Sequence, residues 1–318
     1  VTTALRRVAL ALSLSLAACA PSQPAGSDAS AAREASAPVD GSAALDASVP
    51  EAGAIPSMCN APTTDALPAG SACVRAVEGR AVGDDGAPLA AHVVTVCGSA
   101  CFAATTDEQG RFVVSVGEVL PVPVYSVQIH GRPSRASAYW PMPAPDASGI
   151  ARFSDALSVP RYTSTGPELP EAMRVTAPIE AVAGPVTLSF SAGSRVEFDL
   201  EDFELAALGR TVRVAEVPLD RAPPFARDGM LRGPVFALGP FALVSDQPIG
   251  VRIPNRAMLP AGSPVDFVAM GREVLPPDVD AARPVVVARG AVSADGATIA
   301  TVPGEGPRSL TWVGVRPR

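Results

Sequence analysis

The chain has 318 residues, 47% of them hydrophobic and 18% charged, with 25 basic residues, all Arg, against 32 acidic ones and a formal net charge of −7. A surface of that sign repels polyanions, which argues against a nucleic-acid partner. The 34 prolines, about twice the usual share, argue against a helical architecture, because proline breaks helices before they propagate.

At the start of the chain, Arg6 and Arg7 precede the apolar run Val8 to Leu16, and Leu16-Ala17-Ala18-Cys19 sets small residues directly before a cysteine. A bilayer span needs roughly 20 apolar residues, so this run is too short to cross, and its basic, apolar, small-residue order is that of a removable export signal. Residues 1–18 with Cys19 resemble the lipobox of bacterial lipoproteins. The resemblance implies cleavage after Ala18, diacylglyceryl transfer to the Cys19 sulfur and acylation of the new amine; the alternative is an ordinary secretory signal with a chance cysteine. In lipoprotein sorting a residue other than Asp after the cysteine, here Ala20, favours the outer membrane. The expected localisation is therefore the cell envelope, lipid-anchored, with the membrane as partner through the N-terminal lipid. Each buried methylene contributes about 0.8 kcal/mol, so several acyl chains on one residue hold essentially permanently.

Residues 19–57 carry that cysteine and a stretch dominated by Ala, Ser, Pro, Asp and Gly with no aromatic residue. Such a segment cannot bury enough apolar surface to offset the entropy of ordering it, and a disordered tether is expected. Its average reach is about 35 Å for a flexible chain of this length. A spacer and neutral filler read alike here.

Beyond the tether, short alternating runs rich in β-branched residues lie between turn signals, among them Val93-Val94-Thr95-Val96, Phe112-Val113-Val114-Ser115-Val116, Val186-Thr187-Leu188-Ser189-Phe190 and Val265-Asp266-Phe267-Val268. The pattern predicts an all-β fold of two antiparallel β-sandwich domains, over 58–142 and 171–318, joined by a proline-rich linker over 143–170. The only helix-like run outside the signal is Phe203 to Leu208.

In the first of these domains Val77-Glu78-Gly79-Arg80-Ala81-Val82 runs into Asp84-Asp85-Gly86, a pair type that accepts the positive φ of a tight turn. Pro88-Leu89 follows, and Thr106-Asp107-Glu108-Gln109-Gly110-Arg111-Phe112 makes a further turn into a strand. These residues resemble the carboxypeptidase regulatory-like domain, a transthyretin-like β-sandwich with a V-x-G-x-V opening, a G-x-P-L segment and a T-D-x-x-G-x-F turn. The matches are Val77, Gly79, Gly86, Pro88, Leu89, Thr106, Asp107, Gly110 and Phe112, with Ala81 where the family usually has Val. In carboxypeptidases this module is an appendage to the zinc peptidase, and nothing here resembles that peptidase. Asp107 and Gly110 read as turn-makers.

Four cysteines follow Cys19. An even count in an exported chain argues for two disulfides, Cys97 with Cys101 closing a hairpin tip and Cys59 with Cys73 pinning the end of the tether. Loop entropy assigns them about 2 and 3 kcal/mol. A four-thiolate zinc site is the competing arrangement. Tyr139, Trp140 and Tyr162 lie at the domain boundary, where they serve either as packing or as a ligand platform.

The stretch Gly233 to Phe241 followed by Gln247 to Pro254 is similar to the ZU-five-type β-sandwich of ankyrins and netrin receptors, although Ala242 and Leu243 stand where that family has Gly. The resemblance implies protein docking rather than catalysis. In Val196-Glu197-Phe198-Asp199-Leu200-Glu201 the apolar residues share one strand face and the carboxylates the other. A solvated face is the plain reading, and Glu197, Asp199 and Glu201 are the calcium candidates, since calcium takes 6–8 oxygen ligands. Only two histidines exist, His92 and His130. Neither belongs to an H-E-x-x-H, and no nucleophile elbow or phosphate-cradling glycine loop occurs. The sequence thus leads to a non-enzymatic, cofactor-free binding or structural module whose partner is an unidentified envelope protein or polysaccharide. A carbohydrate- or calcium-dependent adhesin is the first alternative, and a hydrolase with an unrecognised active site the second.

Overall fold

Short runs of β-branched residues between prolines and glycines can satisfy their backbone groups only by pairing with one another, and they do. A computed structural model describes residues 54–60, 67–131, 133–170, 174–198, 206–227, 229–271 and 281–318. Residues 1–53, which include the expected export signal, Cys19 and most of the expected tether, lie outside the described residues, as do Asp199 and Glu201. Among the described residues the fold is all-β, with one short α-helix, α1 (Ala206–Arg210), where the sequence predicts a run over Phe203 to Leu208; residues 203–205 are also outside the described set.

The first eight strands are β1 (Ser71–Val82), β2 (Val93–Cys97), β3 (Cys101–Thr105), β4 (Arg111–Pro121), β5 (Ser126–Ile129), β6 (Ala138–Pro141), β7 (Ile150–Arg152) and β8 (Leu157–Ser158). They make two four-stranded sheets, one in the order β3-β2-β5-β6 and the other β4-β1-β7 with β8 also on β1. Val74, Val77 and Val114 of one sheet share a core with Val94, Val96, Val127 and Ile129 of the other. The 12-residue β1 organises its sheet: β4 pairs with it antiparallel, through a register shift between Val74 and Ala76, and β7 and β8 pair with it in parallel.

The remaining strands are β9 (Ser164–Glu168), β10 (Ile179–Ala183), β11 (Val186–Phe190), β12 (Val196–Glu197), β13 (Thr211–Val217), β14 (Arg232–Gly239), β15 (Val244–Ser245), β16 (Gly250–Pro254), β17 (Pro264–Met270), β18 (Pro284–Val292), β19 (Thr298–Thr301) and β20 (Trp312–Pro317). Ten of them form one sheet in the order β10-β11-β16-β19-β18-β17-β20-β14-β13-β9, while β12 and β15 pair separately. The ends of the long sheet meet. A Cβ added to Gly166 of β9 would lie 2.5 Å from the carbonyl oxygen of Val182 in β10, so glycine is what permits the approach. Inside the rolled sheet sits a core that includes Phe190, Leu188, Phe236, Phe267 and Val313.

Four of the ten strands are buried on both faces. Along β14, Phe236 and Leu238 enter the core of the rolled sheet, while Val235 and Ala237 belong to the core shared with the first eight strands. The same division separates Val212 and Val214 from Ala215 and Val217 in β13, Val265 and Phe267 from Val268 and Met270 in β17, and Val313 from Trp312 in β20. In β17 a register shift between Phe267 and Val268 accompanies the change of face. The second face packs on the first sandwich: the Tyr139 and Phe241 rings lie 5.6 Å apart, and the buried Trp312 donates its indole N–H to the Ser137 carbonyl at 2.8 Å. Arg213, 4% exposed, donates to the Pro133 carbonyl and stacks 5.1 Å from the centre of the Tyr162 ring.

The region 143–170 is woven into both sheets. β7 and β8 extend the β1 sheet and β9 joins β13, with Ile150, Ala151, Leu157 and Val159 buried. Strands of two or three residues are too short to show a period, and parallel pairing to a distant strand leaves no local turn signal.

Because the core of the first sandwich continues onto the outer face of the rolled sheet, urea unfolding is expected to be a single cooperative transition. Trp140 sits in β6 and Trp312 in β20, both in that shared core, and each reports alone when the other is replaced by Phe. Coincident midpoints in the Trp140→Phe and Trp312→Phe variants, after correction for each variant's own stability, are the expected result, and two separated transitions would contradict the shared core.

Candidate functional site

The turns that carry the resemblance in the first sandwich are built from side chain to backbone bonds. Asp107 Oδ1 accepts from the Gln109 N–H at 2.9 Å and the Arg111 N–H at 2.8 Å, and Gly110 supplies a φ of +74°. A Cβ on Gly110 would lie 2.3 Å from the Ala81 carbonyl oxygen. These contacts give Asp107 a structural role. Asp85 Oδ1 likewise accepts from the Ala87 N–H at 3.0 Å, which holds its carboxyl below the ordinary range.

The cysteines are joined as two disulfides, Cys59–Cys73 and Cys97–Cys101, with Cα separations of 5.7 and 4.2 Å. Four sulfurs so committed leave no thiolate for zinc, and that alternative is set aside. At the hairpin tip the Tyr125 ring lies under Gly98, and the Tyr125 hydroxyl accepts from the Ala100 N–H at 3.2 Å. At the other bridge, the Asn60 N–H donates to the Gly117 carbonyl at 2.8 Å and its amide to Glu118 at 2.7 Å, while Arg75 donates to the Pro56 carbonyl. The chain before β1 is therefore sewn along the β4 edge.

The other singled-out residues are spread apart. Tyr139 and Trp140 are buried, 4% and 3% exposed, so they pack between the sandwiches and offer no ligand platform. Of the calcium candidates only Glu197 is described, and its carboxylate pairs with Arg195 at 3.0 Å. Among the described residues no group of three or more His, Cys, Asp or Glu is arranged to hold a metal ion. His92 Nδ1 lies 3.0 Å from the Ala90 carbonyl oxygen, and His130 Nε2 lies 3.2 Å from the Thr95 hydroxyl.

What the structure does bring together is a groove of about 440 Å³ lined by strands β1 and β4 and the 152–156 segment, including Glu78, Arg80, Arg111, Arg152, Ser154 and Asp155. In the ladder Arg80 stands directly opposite Arg111, and Glu78 opposite Val113 on one side and Arg152 on the other. Glu78 accepts from Arg152 Nε at 2.9 Å, and Arg152 also pairs with Asp146. The Glu78 hydrogen bond, reinforced by both carboxylates' charge, raises the Arg152 pKa. Asp146 is pushed down to about 2, first by the Ser148 hydroxyl and next by the Ile150 N–H. These residues come from β strands far apart in the chain, with the β2–β3 hairpin intervening, so no spacing in the sequence announces the groove.

No family model matches the chain, and no curated protein matches it. The class the coordinates define is an all-β protein of sandwich type carrying two disulfides.

Two outcomes follow from this geometry. Gly110→Ala is expected to cost about 2–5 kcal/mol, from left-handed backbone strain plus the clash with the Ala81 carbonyl, whereas Asp107→Asn, which keeps the acceptor, changes the melting temperature little and leaves it indifferent to calcium. For Asp146 the folded pKa lies below the ordinary 3.8, so its stabilisation of the 146–150 turn is complete above that value and is lost as pH falls through about 2. Carboxyl chemical shifts and exchange of the Ile150 amide, compared with Asp146→Asn, measure this; a titration midpoint near 3.8 would contradict it.

Proposed function

We propose that the chain is a lipid-anchored protein of the cell envelope, attached through Cys19 and acting as a non-catalytic binding or structural module. The observation that carries the reading is the pairing of Cys59 with Cys73 and of Cys97 with Cys101 downstream of Arg6-Arg7, the Val8 to Leu16 run and Cys19. Disulfides persist in oxidising compartments, and an export signal delivers the chain to one. Two further observations support the module reading. The carboxylates held below their ordinary range at Asp85, Asp146 and Asp295 are stabilised by turn hydroxyls and N–H groups, and the aromatic pair at the junction is consumed by packing. The likenesses to a carboxypeptidase regulatory-like domain and to a ZU-five-type sandwich point the same way, since both are accessory or docking modules. The adhesin alternative gains from one observation, the polar groove at β1 and β4, and it gains as a carbohydrate binder rather than a calcium site.

Intact-mass spectrometry of the membrane-extracted protein without reductant tests the reading. The expected mass is that of a chain beginning at Cys19, carrying acyl groups and four fewer hydrogens for its two disulfides. An unprocessed N-terminus would overturn the anchor.

A further inference from the structure

We infer that the groove at β1 and β4 binds the oxyanion of an acidic sugar, with Arg80 and Arg111 holding the oxyanion and Ser154 and Asp155 meeting the sugar hydroxyls. This rests on the binding-module reading above and gives it a ligand class.

Directly opposed residues of an antiparallel pair project from the same face with Cβ atoms about 4.5–5.5 Å apart, and like charges in that position are destabilising. Arg80 and Arg111 are such a pair. The adjacent position shows how this sheet neutralises charge when it does so internally: Arg152 is matched by Glu78 and Asp146. Among the described residues neither Arg80 nor Arg111 has an equivalent: the Arg80 Nε–H donates to the Gln109 carbonyl at 3.1 Å, the Arg111 guanidinium has no hydrogen bond or ion pair, and no carboxylate pairs with either. The two side chains leave paired positions on adjacent strands, and each guanidinium carries the planar fork of N–H donors that carboxylate and phosphate oxygens fit. They do so in a chain whose net charge is −7, so the pair is a local reversal of sign rather than part of a general basic surface.

The other lining groups choose among anions. Asp155 borders the same groove without an ion pair, and Ser154 stands beside it. A free carboxylate accepts from hydroxyls and repels further carboxylates. A sugar acid brings one oxyanion and several hydroxyl donors, whereas an acidic peptide brings a row of carboxylates that Asp155 repels. The volume, about 440 Å³, lies in the range of small-ligand sites, roughly 300–1,000 Å³. A uronate carboxylate and a sugar phosphate share the chemistry that the two arginines recognise.

The test is calorimetric titration of the full, membrane-extracted chain in detergent with galacturonate, glucose phosphate, neutral galactose and poly-glutamate, with its mass read on the same sample. Binding of galacturonate or glucose phosphate in preference to the neutral sugar and to poly-glutamate is expected, and whichever binds more tightly identifies carboxylate or phosphate as the source. Arg111→Ala and Arg80→Ala should each weaken that binding about tenfold or more, the usual worth of a charge-assisted bond. Both positions are exposed, and unchanged melting of Arg80→Lys and Arg111→Lys controls for folding. Equal binding of neutral sugar or poly-glutamate, unaltered affinity in the double alanine variant, or no binding of either acidic sugar would overturn the inference. Acylated Cys19 without acidic-sugar binding removes this inference alone, and binding by a chain without acylation removes the anchor alone.

Discussion

The double burial of the four adjacent strands β17-β20-β14-β13 is the constraint on which the rest of the molecule depends. A sheet buried on one face needs alternation; a sheet buried on both needs apolar residues at nearly every position and a hydrogen-bond partner for every polar group trapped there. Trp312 shows how the second requirement is met. Its ring is fully buried, and its single donor is satisfied by the Ser137 carbonyl of the other sandwich. Arg213 meets a harsher form of the same demand, since a buried cation without partners costs far more than a buried amide. Its answer combines a carbonyl of the first sandwich and the face of Tyr162. Such contacts fix the angle at which the sandwiches meet, because each polar partner must be reached from one direction.

The fold class was legible because the strands that face solvent alternate. Val93 to Val96 and Val186 to Phe190 show the period of two in full, and the Asp-Gly and Asp-x-x-Gly turns place themselves by their need for positive φ and local acceptors. The cysteine pairing was legible from count and separation. What misled the reading was the stretch between 143 and 170, where proline content spoke for a connector and the buried Ile150, Leu157 and Val159 were too few to form a pattern. The runs Val235 to Gly239 and Val265 to Met270, apolar at almost every position, carried the signature of two-sided burial and could have located the interface between sandwiches. The groove was not legible at all. Arg80 and Arg111 become neighbours only because β1 and β4 pair across an intervening hairpin that belongs to the other sheet.

Charge is distributed with a corresponding logic. Several arginines of the described surface answer a carboxylate, as Arg289 does at Glu305 or Arg256 at Glu216. Exposed pairs of this kind contribute little stability individually, typically below about 1 kcal/mol, but they cancel the field of each strand face. Arg80 and Arg111, opposed near the end of β1, differ from these in facing a like charge across the ladder. The neighbouring Glu78, Arg152 and Asp146 hold the strand edge in place around them, so the pair is presented by a stiff frame rather than by a loop.

The bridge between Cys59 and Cys73 has a consequence for how the molecule fails. A protease that cuts the backbone anywhere between those two residues severs the polypeptide without separating its parts, because the sulfur link still joins everything upstream to β1. Whatever the N-terminal segment holds on to, the folded unit keeps hold of it after such a nick, and release requires a reductant as well as a protease. Shedding of the folded unit by proteolysis alone is thereby confined to cuts before residue 59.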